Sequence, residues 1–510
     1  MDKIVNKSYW LDSVNRHNYV SLDMDIETDA LIIGGGMVGI TTAYLLSLEG
    51  IRTTIIEGNT LFSGASGNTT AKLTSQHGLI YDKLISGIGE EKARLYAEAN
   101  ENAIKSVKKI IKNNNIHCDL LSLPAYVFTE QDSSIDNIEK EALAAQKLGI
   151  NASFTNELNI PFKVKAAVMF HNQAQFHPAK YLNELAKLYI INGGQIYENT
   201  RAKSLDTGDI HTIITTNGKI IKAKYVIIAT HFPFYDGLGL YFTRLYPERS
   251  YIIGLKIKED FPNGMYITAE CPKLSLRSQP MNGEKLILFG GESHKTGDGI
   301  PTTPHYIKLL EQAEKHYTVL SNPYRWSAQD YNTPDGMPYI GELSSSSKNI
   351  YVATGFAKWG MTTSMVSATM IKDLIINGDS PYKIIFNPSR ISLKAATTTT
   401  FIKESVNVAK NLIKGKLNYI PDDIEVNKGE GKVVIINNKK YGAYRDEEGK
   451  LHIVDTTCTH VGCECRWNDA EKTWDCPCHG SRFNIDGNII EGPAHNPLNK
   501  ENHRIEPNIK

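Results

Sequence analysis

Residues 30–39 read Ala-Leu-Ile-Ile-Gly-Gly-Gly-Met-Val-Gly, a short apolar run followed at once by a glycine-rich turn. The apolar run predicts a buried parallel strand. A helix is expected from the glycines to about Glu49, and a second strand, Thr53–Ile56, ends at the acid Glu57. This order of strand, turn, helix, strand and acid predicts a βαβ unit that binds a dinucleotide.

Each glycine of this turn has its own expected task. Gly34 permits the tight turn, Gly36 lets the backbone approach the pyrophosphate, and Gly39 lets the helix pack on the strand. The amino end of the helix, which begins near Met37, favours the charge of the phosphates. Glu57 is placed to bind a ribose hydroxyl.

A second group of motif residues lies near the end of the chain. Cys458-Thr-His460 is followed, after fifteen residues, by Cys476-Pro-Cys478-His479. This spacing predicts a [2Fe–2S] cluster of Rieske type, with Cys458 and Cys476 on one iron and His460 and His479 on the other. A tetrahedral zinc site with two Cys and two His is the alternative.

The surrounding residues favour the cluster. Cys463 and Cys478 lie one in each ligand loop, so a disulfide between them would pin the loops together. Gly480-Ser481 offers hydrogen-bond donors to the cluster sulfurs, and Gly492-Pro493 supplies a stiff third loop. The pattern C-T-H-x-G-C … C-P-C-H-G-S resembles the Rieske proteins of the cytochrome bc complexes. That resemblance implies one-electron transfer.

One position departs from that pattern. Those Rieske proteins usually carry a tyrosine two residues after the serine, and its hydroxyl donates to a ligand sulfur, whereas this chain has Phe483. Without that donor the reduced cluster is less stabilised, so we expect a potential in the middle of the Rieske span of about −150 to +300 mV. Cys465 is expected to be a free thiol, and Cys118 and Cys271 to be packed apolar residues.

Later segments favour FAD as the dinucleotide. Residues 64–71 are rich in small hydroxyl side chains, Tyr225–Thr230 reads as a buried strand, and residues 333–355 lead into a helix from Gly360 to about Ile376. Together they resemble the D-amino-acid oxidase, glycine oxidase and sarcosine oxidase family, whose last helix points its positive end at the flavin. The resemblance implies FAD contacts from Gly34, Gly36, Met37, Gly39, Glu57, Ser66, Asn68, Thr70, Ala71, Gly355, Gly360 and Met361.

The chain is long enough for several domains. We expect a polar lead-in over residues 1–27 and an α/β FAD-binding Rossmann-like module with a β-rich substrate lobe over 28–387. A linker with a helix near Phe401–Leu417 is expected over 388–420, and a small all-β Rieske domain over 421–510.

The charges of the chain balance, because 56 Lys and Arg match 56 Asp and Glu. No basic field is therefore expected to recruit nucleic acid. The sequence shows neither an eighteen-residue apolar stretch nor a signal-type run near its start. We therefore predict a soluble, cytoplasmic protein without a transmembrane segment.

The two cofactors suggest an order of electron flow. A flavin accepts a hydride, and a Rieske centre accepts one electron. The sequence has no second G-x-G-x-x-G motif for NADH, so the expected donor is a small molecule and the expected partner is a one-electron acceptor protein or a quinone. The leading prediction is a dehydrogenase. An oxygen-using amine or amino-acid oxidase with an accessory cluster, and a non-catalytic redox sensor, remain alternatives.

Four residues are predicted to act on the substrate. Asp330 stands near the place where glycine and D-amino-acid oxidases carry a carboxylate-binding Arg, so it should attract a cation; a surface loop acid is the alternative. By the same resemblance, Lys358 replaces a second active-site Arg, Arg277 would supply a displaced carboxylate clamp, and Tyr251 resembles the substrate-lid tyrosines. We therefore predict an amine-type substrate other than a simple α-amino acid.

Further positions bear on the flavin. Sarcosine oxidases activate oxygen with a lysine where this chain has Leu288, which favours weak oxygen reactivity. Relatives that attach FAD covalently use a histidine or a cysteine where Asn68 and Ala328 stand, so non-covalent FAD is expected. His77 and His177 are expected to be structural histidines.

Overall fold

The computed structural model describes residues 4–390, 425–436 and 439–500. The helix predicted near Phe401–Leu417, and most of the predicted linker, lie outside these residues. Within the described part, no helix combines the length and apolar character needed to cross a bilayer. The location of the protein in the cell stays a prediction.

The helices of the described residues belong to the part of the chain before residue 387. Helices α2 and α8 pack against each other, and both are apolar around most of their circumference, as helices covered on several sides are. The helices are α1 (Tyr9–Asp12), α2 (Met37–Leu48), α3 (Tyr81–Ile88), α4 (Glu90–Asn113), α5 (Ile135–Lys147), α6 (Pro178–Ile191), α7 (Thr303–Glu314), α8 (Gly360–Asn377) and α9 (Lys383–Phe386).

The strands form two large sheets before residue 355 and two small sheets after residue 430. They are β1 (Ile26–Ile33), β2 (Thr53–Ile56), β3 (Lys72–Leu73), β4 (Leu121–Ser122), β5 (Ala125–Thr129), β6 (Ala152–Thr155), β7 (Ala166–Phe170), β8 (Ala174–Gln175), β9 (Gln195–Tyr197), β10 (Ala202–Asp206), β11 (His211–Thr215), β12 (Ile220–Ile228), β13 (Tyr246–Ile257), β14 (Met265–Thr268), β15 (Ser275–Met281), β16 (Glu284–Lys295), β17 (Val319–Asn332), β18 (Tyr339–Glu342), β19 (Ile350–Thr354), β20 (Gly431–Ile436), β21 (Lys439–Arg445), β22 (Leu451–Asp455), β23 (Arg466–Asn468), β24 (Thr473–Asp475), β25 (Arg482–Phe483) and β26 (Ile489–Glu491). The short strands β3, β8 and β4 make a further small sheet.

The dinucleotide lobe contains the predicted βαβ unit. Its sheet has the order β10-β11-β12-β1-β2-β9, with β19 paired to β12 and β18. Strand β1 runs parallel to β2 and to β12. The apolar residues 30–33 of β1 are buried, as expected for a parallel strand covered on both faces. The predicted Rossmann-like module is therefore confirmed.

The substrate lobe is a second sheet with the order β17-β13-β16-β15-β14-β5-β7-β6. Its long strands β13, β16 and β17 are antiparallel, with β13 in the middle. The lead-in packs on the flavin module, because Trp10 is fully buried and its Nε1 donates to the Thr69 carbonyl oxygen at 2.7 Å.

The last described segment is the predicted small β domain. Strands β20, β21 and β22 form one antiparallel sheet, and β23 to β26 form another. Its core contains Trp474 and Phe483, packed with the cysteines of the predicted cluster site.

Candidate functional site

A cavity of about 700 Å³ lies between the dinucleotide lobe and the substrate lobe. Among the residues that line it are Gly34, Gly36, Met37, Glu57, Ser66, Asn68, Thr70, Gly360 and Met361, all predicted FAD contacts. The other predicted contacts, Gly39, Ala71 and Gly355, adjoin lining residues in the chain or in space. The structure therefore brings the predicted FAD residues to one site.

Two glycines of the turn leave no room for a side chain. A Cβ on Gly34, whose φ is +112°, would lie 2.5 Å from the Ala229 carbonyl oxygen, and a Cβ on Gly39 would lie 1.9 Å from the Gly34 carbonyl oxygen. Helix α2 begins directly after the turn, where the Met37 N–H donates to the Ser66 hydroxyl at 2.9 Å. The turn thus places the positive end of α2 at the cavity.

The Glu57 carboxylate closes the turn at the end of β2. It accepts hydrogen bonds from the N–H groups of Gly35 at 2.7 Å and Asn59 at 2.8 Å. Burial raises the pKa of Glu57, although these two amides oppose that effect. Its role with ribose stays a prediction. Helix α8 also begins at the cavity, which Gly360 and Met361 line. The small residues, the amino ends of α2 and α8 and this acid form a chemical setting that fits FAD.

Charged side chains line the substrate end of the cavity, the part formed by β13, β16 and β17. Lys358 pairs with Glu248 at 2.7 Å and also donates to the Ser293 hydroxyl. Asp330 lies opposite Glu248 in the β13–β17 pair. Burial raises the pKa of Asp330 to about 7, against the influence of Lys358.

Asp330 is therefore a cavity residue on a strand, and the alternative of a surface loop acid is wrong. No hydrogen bond to its carboxylate is found within the described ranges. The structure also brings Lys358 to the same end of the cavity. Two of the four predicted substrate residues thus meet.

The polar groups of Arg277 and Tyr251 contact other parts of the protein, and the contacts of Arg277 correct its predicted role. Arg277 is fully buried, and its Nη1 donates to the carbonyl oxygens of Thr70 at 3.2 Å and Ala71 at 2.8 Å. It braces the FAD-site segment, so its guanidinium is not placed as a carboxylate clamp. Tyr251 also lines the cavity, with its hydroxyl 2.9 Å from His294 Nε2, and its role as a substrate lid stays a prediction.

The two histidines near the flavin motifs have structural contacts, as predicted. The Nδ1 of His77 lies 2.6 Å from the Tyr96 hydroxyl, and burial lowers the pKa of His77 to about 3. His177 caps α6, where its Nδ1 accepts from the Lys180 N–H at 3.2 Å.

Two further cavity residues were not anticipated. Cys271 and Lys273 lie on the loop between β14 and β15, and both line the cavity. Cys271 is exposed, which corrects the expectation of a packed residue. Burial lowers the pKa of Lys273. No motif marks this loop, because only the fold of the sheet brings it to the flavin site.

The predicted iron ligands meet on two cluster loops, residues 458–465 and 476–481. The Sγ atoms of Cys458, Cys465 and Cys476 all lie within 4.8 Å of one another. Cys463 and Cys478 form the predicted disulfide. Cys465 is free, as expected, but its place beside both ligand thiols was missed by the sequence reasoning.

The two predicted histidine ligands complete this site. The rings of His460 and His479 have centroids 4.9 Å apart. Neither ring nitrogen of His479 has a hydrogen-bond partner within the described residues, although both are buried. Burial lowers the pKa of His479 to about 4, so its imidazole is neutral, the form that binds metals. These residues fit a [2Fe–2S] cluster.

At the substrate end, one layer of β-sheet separates the cavity from the Rieske domain. Side chains alternate along β13 and β17, so Asp330 faces the cavity, whereas Arg249 and Tyr331 reach the Rieske domain. The Tyr331 hydroxyl donates to the His479 carbonyl oxygen at 3.1 Å. The Phe232 ring contacts Tyr331 and both histidine rings.

A buried ionic network fastens the two domains together. Arg249 of the flavin module lies 3.0 Å from Glu491 and 3.4 Å from Glu471, and Arg482 binds both acids and Asp475. Although burial opposes ionisation, Arg482 and Arg249 hold the pKa values of Asp475 and Glu491 below their usual range. Arg249 therefore adds a second cation, supplied by the flavin module, to acids that Arg482 already pairs within the Rieske domain.

Contacts other than ion pairs extend the same interface. Asp469 of the Rieske domain accepts from the Thr302 N–H at 2.6 Å, at the beginning of α7 in the flavin module. A Cβ on Gly297 would lie 2.7 Å from the Pro477 nitrogen. The interface thus combines a helix cap, close backbone packing and ion pairs.

Known proteins share both parts of this arrangement. Residues 29–374 match the family model of the FAD dependent oxidoreductases (DAO), and residues 418–502 match that of the Rieske [2Fe-2S] domain. The chain is 46% identical over 493 residues to YhfW of Bacillus subtilis (strain 168), named as a Rieske 2Fe-2S iron-sulfur protein, covering 96% of this chain and 97% of that protein.

Two other similarities concern the flavin module. The gamma-glutamylputrescine oxidoreductase of Escherichia coli (strain K12) is 23% identical over 399 residues, covering 73% of this chain and 89% of that protein. The crystal structure of glycine oxidase from Geobacillus kaustophilus has a TM-score of 0.61 at 19% identity, covering 72% of this chain and 99% of that one. With a family model that covers most of its length, the chain belongs to the FAD-dependent oxidoreductase (DAO) family and carries a Rieske [2Fe–2S] domain after the flavin module.

Proposed function

We propose that this protein is a dehydrogenase that oxidises a small amine-type substrate at FAD and sends the electrons through the Rieske cluster to a one-electron acceptor, either a protein or a quinone. The substrate loses a hydride and a proton, and two electrons leave the protein one at a time. When bound, FAD accepts the hydride and the cluster carries the single electrons.

The position of the cluster loops on the cavity wall carries this proposal. The cavity-lining strand β17 bears Tyr331, whose hydroxyl bonds to the backbone of His479 at 3.1 Å. Phe232, which also lines the cavity, contacts the same histidine and its partner His460. A flavin in the cavity would therefore be separated from the cluster by side chains in direct contact, which supports transfer within one chain.

The charges at the substrate end support an amine. Glu248 neutralises Lys358, with which it pairs at 2.7 Å. The Asp330 carboxylate then remains to attract a cation, and it can take the proton that an ammonium group must lose before hydride transfer. The Escherichia coli relative is named gamma-glutamylputrescine oxidoreductase, and the compound in that name is an amine.

Anaerobic stopped-flow reduction tests the proposal. Amines and amino acids are mixed with the purified protein, flavin bleaching is followed by absorbance, and the cluster signal is then followed by electron paramagnetic resonance. We expect an amine to bleach the flavin before the cluster signal appears. Bleaching by glycine, sarcosine or a D-amino acid, with no response to amines, would contradict the predicted substrate class.

An oxygen-using oxidase is the second candidate, and Lys273 is the observation that favours it. The expectation of weak oxygen reactivity rested on Leu288, but Lys273 brings a cationic side chain to the cavity from another loop. Peroxide formed per turnover under air separates the two functions. A yield close to one favours the oxidase, and a yield close to zero favours the dehydrogenase.

A further inference from the structure

The FAD cavity is not built by the flavin module alone. At the end where Glu57, Gly58 and Asn59 follow β2, the opposite wall consists of residues from the Rieske domain. These residues are Ile490, Glu491, Gly492, Ala494 and His495. We call residues 490–495 the cover segment. It lies at the nucleotide end of the cavity, since Glu57 marks the place where a ribose is expected.

Contacts on the flavin-module side hold the cover segment over this end. The Asn59 side chain donates from Nδ2 to the Ile490 carbonyl oxygen at 3.0 Å. The rings of Phe234 and His495 meet edge to face with centroids 6.3 Å apart. Glu491 lines the cavity, and its carboxylate pairs with the Arg249 guanidinium at 3.0 Å. One acid thus joins the cavity wall to the ionic network of the interface.

Contacts on the other side tie the cover segment to a cluster loop. The Ala494 N–H donates to the Ser481 hydroxyl at 3.1 Å. Gly492 packs so closely that a Cβ there would lie 2.6 Å from the Ser481 Cα. The segment therefore moves with the Rieske domain, and undocking of that domain would open the nucleotide end of the cavity.

We propose that the cover segment is a wall of the FAD site, so that the protein retains FAD only while its Rieske domain is docked. Any ligand that contacts both domains strengthens their docking, and docking strengthens its binding by the same factor. The Rieske domain would then serve cofactor retention as well as electron transfer.

The rate of FAD release from the holoprotein tests this proposal. The protein is diluted, and the rise in flavin fluorescence is followed. His495→Ala trims the wall itself, whereas Asp469→Ala weakens docking at the α7 cap, outside the cavity lining. Both variants should release FAD about fivefold faster than the parent protein. Asp260→Ala, at an exposed ion pair with Lys285, is the control and should change nothing.

Unchanged release from either variant would overturn the proposal. Hydrogen exchange on the unaltered chain provides a second test if a variant fails to fold. FAD-stripped protein is compared with the same protein reloaded with FAD, and peptides covering residues 490–495 are followed. We expect FAD to slow their amide exchange, and equal exchange in both forms would also overturn the proposal.

Discussion

The cluster loops and the substrate end of the cavity differ in how their residues are assembled. All four predicted iron ligands and the disulfide come from residues 458–479, and most of these side chains are buried. The substrate end takes Glu248, Asp330 and Lys358 from two strands and a loop that lie far apart in the chain. The predicted cluster site thus depends on local spacing, whereas the predicted substrate site depends on how the large sheet is assembled.

Loss of a cluster ligand should give the largest effect and test the local character of the cluster site. Cys476→Ala removes one of two thiolates on the same iron, so we expect complete loss of the cluster. Iron, acid-labile sulfide and the electron paramagnetic resonance signal measure this loss. FAD should stay bound and should still be reduced by substrate.

Cys465→Ser is the matched control, because its Sγ lies within 4.8 Å of both ligand thiols. We expect this variant to keep its iron. Loss of iron equal to that of Cys476→Ala would show that Cys465 is a ligand and that the sequence pattern was misread.

Removal of Arg249 tests whether the two regions are independent. Arg249→Met removes a fully buried cation from the partly buried acids Glu471 and Glu491, so the free energy of unfolding should fall by about 3–5 kcal/mol. Urea unfolding followed by tryptophan fluorescence measures the change. Lys285→Ala, at an exposed pair, should stay within about 0.5 kcal/mol of the parent. If Arg249→Met changed the free energy of unfolding as little as Lys285→Ala does, the ionic network would not hold the domains together.

Asp330→Asn tests the substrate end of the cavity directly. The carboxylate form should be required for an ammonium substrate, so the rate of flavin reduction should rise with pH through about 7, where Asp330 loses its proton. The variant should lose this rise and react at least about tenfold more slowly, as expected for loss of a general base. Stopped-flow rates between pH 6 and about 9 measure both effects.

A stability measurement separates this role from a structural one. Burial raises the folded-state pKa of Asp330 above its unfolded value, so its contribution to stability falls as pH rises from about 4 to 7. Asp330→Asn should weaken that pH dependence, and at pH 8 the variant should be at least as stable as the parent protein. Lower stability of the variant at pH 8 would point to a structural role.

Tyr331→Phe should give the smallest effect and tests the wall between the regions. The ring remains, and only the hydrogen bond to the His479 carbonyl oxygen is lost. Cluster reduction after flavin bleaching should slow by about threefold, with flavin reduction unchanged. Rapid-freeze electron paramagnetic resonance measures the first rate. An unchanged rate would exclude this contact from the electron path.

The sequence predicted those parts of the protein whose residues follow a fixed spacing along the chain. The glycine turn before α2 and the two cluster loops are short segments whose backbone geometry and ligand chemistry restrict the residue types. A dinucleotide-binding fold and the iron–sulfur cluster followed from them, whereas the choice of FAD rested on later segments and their family resemblance. Asp330 and Lys358 were reached only through family resemblance.

What the sequence did not reveal depends on long-range packing. Arg277 was read as a substrate clamp because its charge is visible in the sequence, whereas the carbonyl oxygens of Thr70 and Ala71 that bind it are not. Lys273 was missed because its loop carries no motif. The docking of the domains through Arg249 was missed because its partners lie more than two hundred residues away.

The cap that Asp469 provides for α7 limits how such proteins can be recombined. The Thr302 N–H, at the start of this helix, donates to a carboxylate that belongs to the other domain. A chimera that joins this flavin module to a foreign iron–sulfur domain would lose that acceptor, at a cost of about 1 kcal/mol for an uncapped helix end. Domain exchange between relatives should therefore succeed best when the donor carries a short acidic or hydroxyl side chain at this place.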